Sequence, residues 1–271
     1  MMLGHILKAL APVLATVMAA GVAGCDGSNV TIGGEQGKKL AELDLTGPAP
    51  NELVLLGPDE VQVTQGDSLV ITVDGDPDAA AAMRFTLKNG TLSILRADKL
   101  FSGDGKRAVV HVTMPAPKEV TMAGSGKISA PALAPDAKVT IAGSGRIDTQ
   151  NVSGDKLDVT LPGSGSFSAQ GAVGNLELTI LGSGSAEMAG VTAGKAKVTI
   201  AGSGGAAFAS DGDVDATIMG SGSVKVTGRA RCKVSAMGSG ELVCEAGVTK
   251  TGMTETGGDS SEAPAATPTP E

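Results

Sequence analysis

The chain of 271 residues has no tryptophan, no tyrosine and four phenylalanines. Sugar sites commonly rest on aromatic platforms, whose faces stack on the apolar C–H face of the ring. Their scarcity therefore counts against sugar binding or cleavage. Histidine is nearly missing too. His5 lies in a leader segment, and His111 stands alone in an alternating apolar stretch. It reads as a strand-face residue, and no nucleophile–base pair can be assembled around it. Positive charge is in deficit, with 21 Lys and Arg against 29 Asp and Glu. That balance argues against nucleic acid and against an electrostatic grip on anionic lipid. The apolar run from Ala9 to Ala20 is too short to span a bilayer as a helix.

That run is the centre of an export leader over residues 1–24. It ends in Val22-Ala23-Gly24-Cys25: an apolar residue, two small ones, then a cysteine. The tetrapeptide resembles the lipobox of bacterial lipoproteins. The resemblance implies cleavage before Cys25, diacylglycerylation of its sulfur and acylation of the new amino terminus. Several acyl chains, at about 0.8 kcal/mol per buried methylene, make a lasting membrane anchor. The competing reading is an ordinary secretory leader with a chance cysteine. Lys8 leaves with the leader, so the mature balance is 20 − 29 = −9. Residues 25–39 read as a tether. Residues 249–271, rich in Gly, Ser, Thr, Pro and acid, read as a disordered tail.

Most of the remaining chain is repetition. Gly-Ser-Gly begins at Gly124, Gly143, Gly163, Gly182, Gly202, Gly220 and Gly238, at steps of 19, 20, 19, 20, 18 and 18 residues. Two before each triplet stand Met122, Ile141, Leu161, Ile180, Ile200, Ile218 and Ala236. Two after it stand Ile128, Ile147, Phe167, Ala186, Ala206, Val224 and Leu242. Apolar residues recur at every second position on both flanks, which is the strand period. Between them lie a hydroxyl column from Thr121 to Ser235 and a charged column from Glu119 to Lys233. In the charged column Asp158 would oppose Glu177 unfavourably.

Like residues at like positions predict an all-β fold: a single-stranded parallel β-helix or solenoid, one lap per repeat. Laps would lie about 4.8 Å apart, with seven of them roughly 30 Å tall. Right-handed coiling is the default. Glycine suits the bend because it accepts φ > 0, and the stacked serines are expected to bond between laps. A meander of hairpins is the competing architecture, but it would not set threonine beside threonine. One domain is expected over residues 40–248. Its N-terminal part, about 40 to 118, carries strand signals without the triplet and reads as irregular laps of the same array. Asn89-Gly90 there marks a hairpin. Cys232 and Cys244 share the inward phase of the last lap. A disulfide between them would pin that lap, and two buried free thiols are the alternative.

The repeat resembles the bacterial family called putative autotransporter adhesin head, GIN domain, from about Leu40 to Cys244. Val159-Thr160-Leu161-Pro162-Gly163-Ser164-Gly165-Ser166-Phe167 and Val198-Thr199-Ile200-Ala201-Gly202-Ser203-Gly204 carry the likeness, and Asn89-Gly90-Thr91-Leu92-Ser93-Ile94 matches the lead-in. The resemblance implies an exported β array and an adhesin-like role. It supplies no catalytic motif.

Chemistry is sparse. Gly-Ser-Gly is not the nucleophile elbow Gly-x-Ser-x-Gly. Asp74-Gly75-Asp76-Pro77-Asp78 and Asp211-Gly212-Asp213-Val214-Asp215 start like calcium loops but lack the later glycine and glutamate, so they read as solvated acidic turns. No metal or cofactor is expected. Just before the triplets, Leu181, Met219 and Met237, with Ala and Pro at the sister positions, have outward parity. They form a candidate docking stripe, unless the bend turns them inward. The expected role is a lipid-anchored, non-enzymatic module of the bacterial cell envelope: an interaction, adhesin-like or structural element that meets an envelope protein or itself. The alternative is a polysaccharide-binding or polysaccharide-cleaving β-helix.

Overall fold

The computed structural model describes residues 31–32, 35–97, 105–246 and 248–250. The leader, Cys25 and nearly all of the tail lie outside them. Strands β1 (Thr31–Ile32) and β2 (Glu35–Gln36) form a small antiparallel pair of their own. The main array opens with β3 (Glu52–Gly57), β4 (Glu60–Gln65) and β5 (Val70–Gly75). The helix α1 (Pro77–Ala82) follows, then β6 (Met83–Lys88), β7 (Thr91–Arg96) and β8 (Ala108–Met114). The triplet region supplies β9 (Glu119–Gly124), β10 (Lys127–Ala130), β11 (Lys138–Gly143), β12 (Arg146–Thr149), β13 (Lys156–Gly163), β14 (Ser166–Gly182) and β15 (Ser185–Gly202). It ends with β16 (Gly205–Ser210), β17 (Asp213–Gly220), β18 (Ser223–Thr227), β19 (Arg231–Met237), β20 (Glu241–Cys244) and β21 (Val248–Lys250).

The laps run parallel and in register. Thr140 lies between Thr121 and Thr160, Thr179 follows Thr160, and the column continues through Thr199 and Thr217 to Ser235. A meander, whose neighbours would be antiparallel, is thereby excluded. The inward residues form one continuous core. Ile141, Leu161, Ile180, Ile200 and Ile218 are fully buried on one side of the bend, as are Ile128, Ile147 and Phe167 on the other. Alternation of apolar and polar residues is sufficient for this. With a period of two, every apolar side chain of a lap falls on the same face.

The bend brings backbone onto backbone. Gly143 has φ +122°, and a Cβ there would lie 2.4 Å from the carbonyl oxygen of Gly124. The same oxygen accepts from the Ser144 amide at 2.9 Å, and the pattern repeats from Ser164 to Gly143 and from Ser183 to Gly163. The serines thus join neighbouring laps through their amides. Their hydroxyls, expected to make those bonds, point into solvent and bond to no other described residue. The physical reason is that the lap spacing is set by backbone pairing, which already satisfies the bend.

Two laps lack the triplet, and they are not stacked in sequence order. The first, β3 and β4, lies against β9 and β10, with Gly57 beside Gly124. Gly57-Pro58-Asp59 takes the place of the triplet. The second, β7 and β8, packs on the other side of β3 and β4. The chain therefore lays one lap, builds outward, and returns to continue on the opposite face. Antiparallel β5 and β6 close the outer side against β8 and β7. The hairpin at Asn89-Gly90 joins β6 to β7, with φ +52° and +81° at its two residues. Lys38, in the segment read as tether, exchanges backbone hydrogen bonds with Phe85 of β6 at 2.9 and 2.8 Å.

Candidate docking surface

The strand flank before the bend presents two outward columns without charge. One is the hydroxyl column, of which Thr140 is buried. The other runs beside the bend, where Pro162, Leu181, Ala201, Met219 and Met237 are consecutive register partners. The bend does not turn this column inward. Leu181 and Met219 are half-buried while their neighbours Ile180 and Ile218 fill the core, and Met237 is 59% exposed. The column is thus a shallow apolar strip of about one side chain in width. It is more open toward its C-terminal end, since Ala123 at the other end is buried.

Charges bound the strip. Asp158 and Glu177 are in register, the like-charged contact expected from the sequence. Lys156, which sequence reasoning missed, reaches both: its Nζ lies 2.9 Å from Glu177 Oε2 and 3.6 Å from Asp158 Oδ2. The hydrogen bond to Glu177 raises the pKa of Lys156. Burial raises that of Asp158, and Glu177 adds to the effect. The missing signal was the residue two before Asp158, which shares its outward face. On the flank after the bend, Arg146 Nη1 lies 3.6 Å from Asp148 and 3.7 Å from Glu187, and Lys127 Nζ lies 3.9 Å from Asp148. These charges neutralise one another along the stack, each pair exposed and individually worth little.

The acidic turns are engaged in structure. Asp76 caps α1 by accepting from the amides of Asp78 and Ala79, and Lys106 Nζ lies 2.6 Å from Asp78 Oδ2. Asp211 accepts from the Arg229 amide and Asp213 from Arg231 Nε at 2.8 Å. These bonds hold both carboxyls below the usual aspartate range. Among the described residues no group of three or more His, Cys, Asp or Glu is arranged to hold a metal ion. His111 sits on the outer face of β8 between Gln62 and Thr72, its Nε2 3.3 Å from Asp74 Oδ2, both side chains well exposed. Cys232 and Cys244 form a disulfide within the last lap. Cys25 lies outside the described residues.

Two solved structures share this architecture. A putative adhesin from Bacteroides fragilis matches with TM-score 0.63 at 21% identity, over 72% of this chain and 92% of its own. A putative adhesin from Parabacteroides merdae matches with TM-score 0.57 at 18% identity, over the same shares of each chain. At these identities the likeness shows the fold. No curated protein is detectably similar in sequence. Residues 49–230 match the family described as putative auto-transporter adhesin, head GIN domain. With two thirds of its length in that match and the seven stacked bends at its centre, the chain belongs to the GIN-domain family.

Proposed function

We propose that the protein is a lipid-anchored, non-enzymatic, adhesin-like module of the bacterial cell envelope, held by Cys25 and docking through the uncharged strip of Leu181, Met219 and Met237. The observation that carries the reading is that strip: Leu181, Ala201, Met219 and Met237, apolar side chains in register on the outside of a parallel stack. Contiguous outward apolar residues on an otherwise polar surface mark interaction sites. The family and the two solved structures described above bear adhesin names, which supports the same role. The cysteine after Val22-Ala23-Gly24 supports the anchor.

Two measurements test the reading. Growth with an acyl-chain probe labels the wild type and leaves Cys25→Ser unlabelled; an unlabelled wild type removes the anchor. Pull-down from native envelopes compares the wild type with a variant in which Leu181, Met219 and Met237 are all Ser. Loss of partners with the fold intact supports the strip. Unfolding of the variant shows that the strip is core, and release of product in an envelope polysaccharide screen would replace the module with an enzyme.

A further inference from the structure

The two ends of the stack differ. Antiparallel β5 and β6 close the N-terminal end, with Ala79, Met83 and Phe85 buried beneath. At the other end β21 continues for half a lap, from Cys232–Val248 to Val234–Lys250. Ala236, the register partner of buried Ile218, is exposed there, and Val243 is 49% exposed. Among the described residues β20 pairs with β18 alone. The amides of Glu241 and Glu245 donate to the Gly222 and Val226 carbonyls below. Successive residues of a strand alternate, so Leu242 and Cys244 turn their backbone groups to the free side. The result is a notch one strand wide, floored by β20 and flanked by β21. The Cys232–Cys244 disulfide ties that floor in place, so little ordering remains for an incoming strand to impose.

The continuation of the chain does not suit the notch. Val248 beside Cys232 is an offset of 248 − 232 = 16. A strand continued at that offset would need Gly257, Gly258, Asp259 and Ser260 beside β20, and no Val, Ile, Leu, Met or Phe occurs from Thr254 to Glu262. Such a sequence has poor strand propensity. A second copy stacked head to tail is opposed by charge. Glu241 and Asp74 stand at opposite ends of one register column, so continuing the stack would set carboxylate beside carboxylate.

We propose that the notch takes one extended segment of a partner protein by strand addition, with apolar residues at alternate positions and a basic residue facing Glu241. Main-chain hydrogen bonds to Leu242 and Cys244 supply the grip, and side chains at alternate positions supply selectivity. The inference deepens the adhesin-like reading. The chain enters the array at its closed end, where Lys38 meets Phe85, so anchoring at Cys25 would turn the notch away from the membrane.

The test uses the mature chain and three labelled synthetic peptides, each flanked by Gly-Ser: Lys-Val-Ile-Val-Lys, Glu-Val-Ile-Val-Glu and Lys-Val-Pro-Val-Lys. Fluorescence anisotropy should show saturable binding of the first, at least tenfold tighter than of the other two. Glu241→Lys should weaken the first peptide at least tenfold and improve the second, and Val243→Lys should weaken both. Val70→Lys, at the exposed edge of the closed end, should change nothing. No saturation by the first peptide, or equal loss with Val70→Lys, overturns the notch. Because Leu181 and Met219 are untouched, failure here leaves the strip to be judged by the envelope pull-down alone.

Discussion

Arg96 reaches back 37 residues to Asp59, donating from Nε to Oδ2 at 3.1 Å and from Nη2 to Oδ1, with both side chains buried. Asp59 also accepts from the Ala108 amide at 2.8 Å, and Arg96 donates to the Lys106 carbonyl at 2.9 Å. The pair therefore ties the bend of the first lap to both ends of the corner that joins β7 and β8. Removing one partner strands a buried charge. Asp59→Leu or Arg96→Met alone should cost about 3–5 kcal/mol. The double change should cost less than the sum of the two. Urea denaturation of the three variants measures this.

The bend separates glycine from serine energetically. Gly143→Ala needs a positive φ and drives Cβ into the Gly124 carbonyl. It should destabilise by about 2 kcal/mol or more, as strain at a special backbone position does. Ser144→Ala removes an exposed hydroxyl and should stay within about 0.5 kcal/mol. Equal losses in thermal melts of the two variants would contradict the backbone origin of the lap contact.

The disulfide spans 12 residues of the last lap. Its loss in a Cys232→Ser, Cys244→Ser double variant should cost roughly 3 kcal/mol by loop-closure entropy. The effect should be local. Hydrogen exchange should accelerate in β19 and β20 while β9 to β13 keep their protection, because each lap touches only its neighbours.

Thr140 is 1% exposed, and its hydroxyl oxygen has no hydrogen-bond partner among the described residues. A buried polar atom without a partner carries its desolvation cost in full. Thr140→Val, equal in shape, should raise stability by about 1 kcal/mol in chemical denaturation. A loss would reveal a partner for the hydroxyl.

Asp158 has its pKa raised, by burial first and by Glu177 after it. An acid with a raised folded-state pKa favours the fold when protonated, and that contribution is lost as pH rises through the folded value. Asp158→Asn should therefore raise the urea midpoint at pH 7. The gain should shrink as pH falls through the carboxylate range. A gain independent of pH would assign the effect to something other than the charge.

The parallel register was legible because every lap repeats one alternation about a fixed bend, as Thr121, Thr140 and Thr160 show. The shared inward phase of Cys232 and Cys244, and the hairpin at Asn89-Gly90, were legible for the same local reasons. Gly57-Pro58-Asp59 lacks the residues of the triplet, although Leu53, Leu55, Val61 and Val63 hold the offsets that flank one. The signal of this bend lies in its spacing and not in its residues. The placement of β7 and β8 outside β3 and β4 has no local signal. It depends on long-range pairing and on the contact of Arg96 with Asp59, two charged residues whose burial no apolar pattern marks. The outward phase of Leu181 and Met219 was legible, but their half-burial depends on neighbouring laps and not on parity.

The glycine column implies a way for such a chain to change size. Each bend rests on a bend of identical cross-section, so a duplicated repeat meets the same footprint above and below. In-frame gain or loss of a unit between Gly124 and Gly238 would lengthen or shorten the rod by about 4.8 Å without reshaping either tip. The length of the stack could then be adjusted by recombination while both ends are inherited intact.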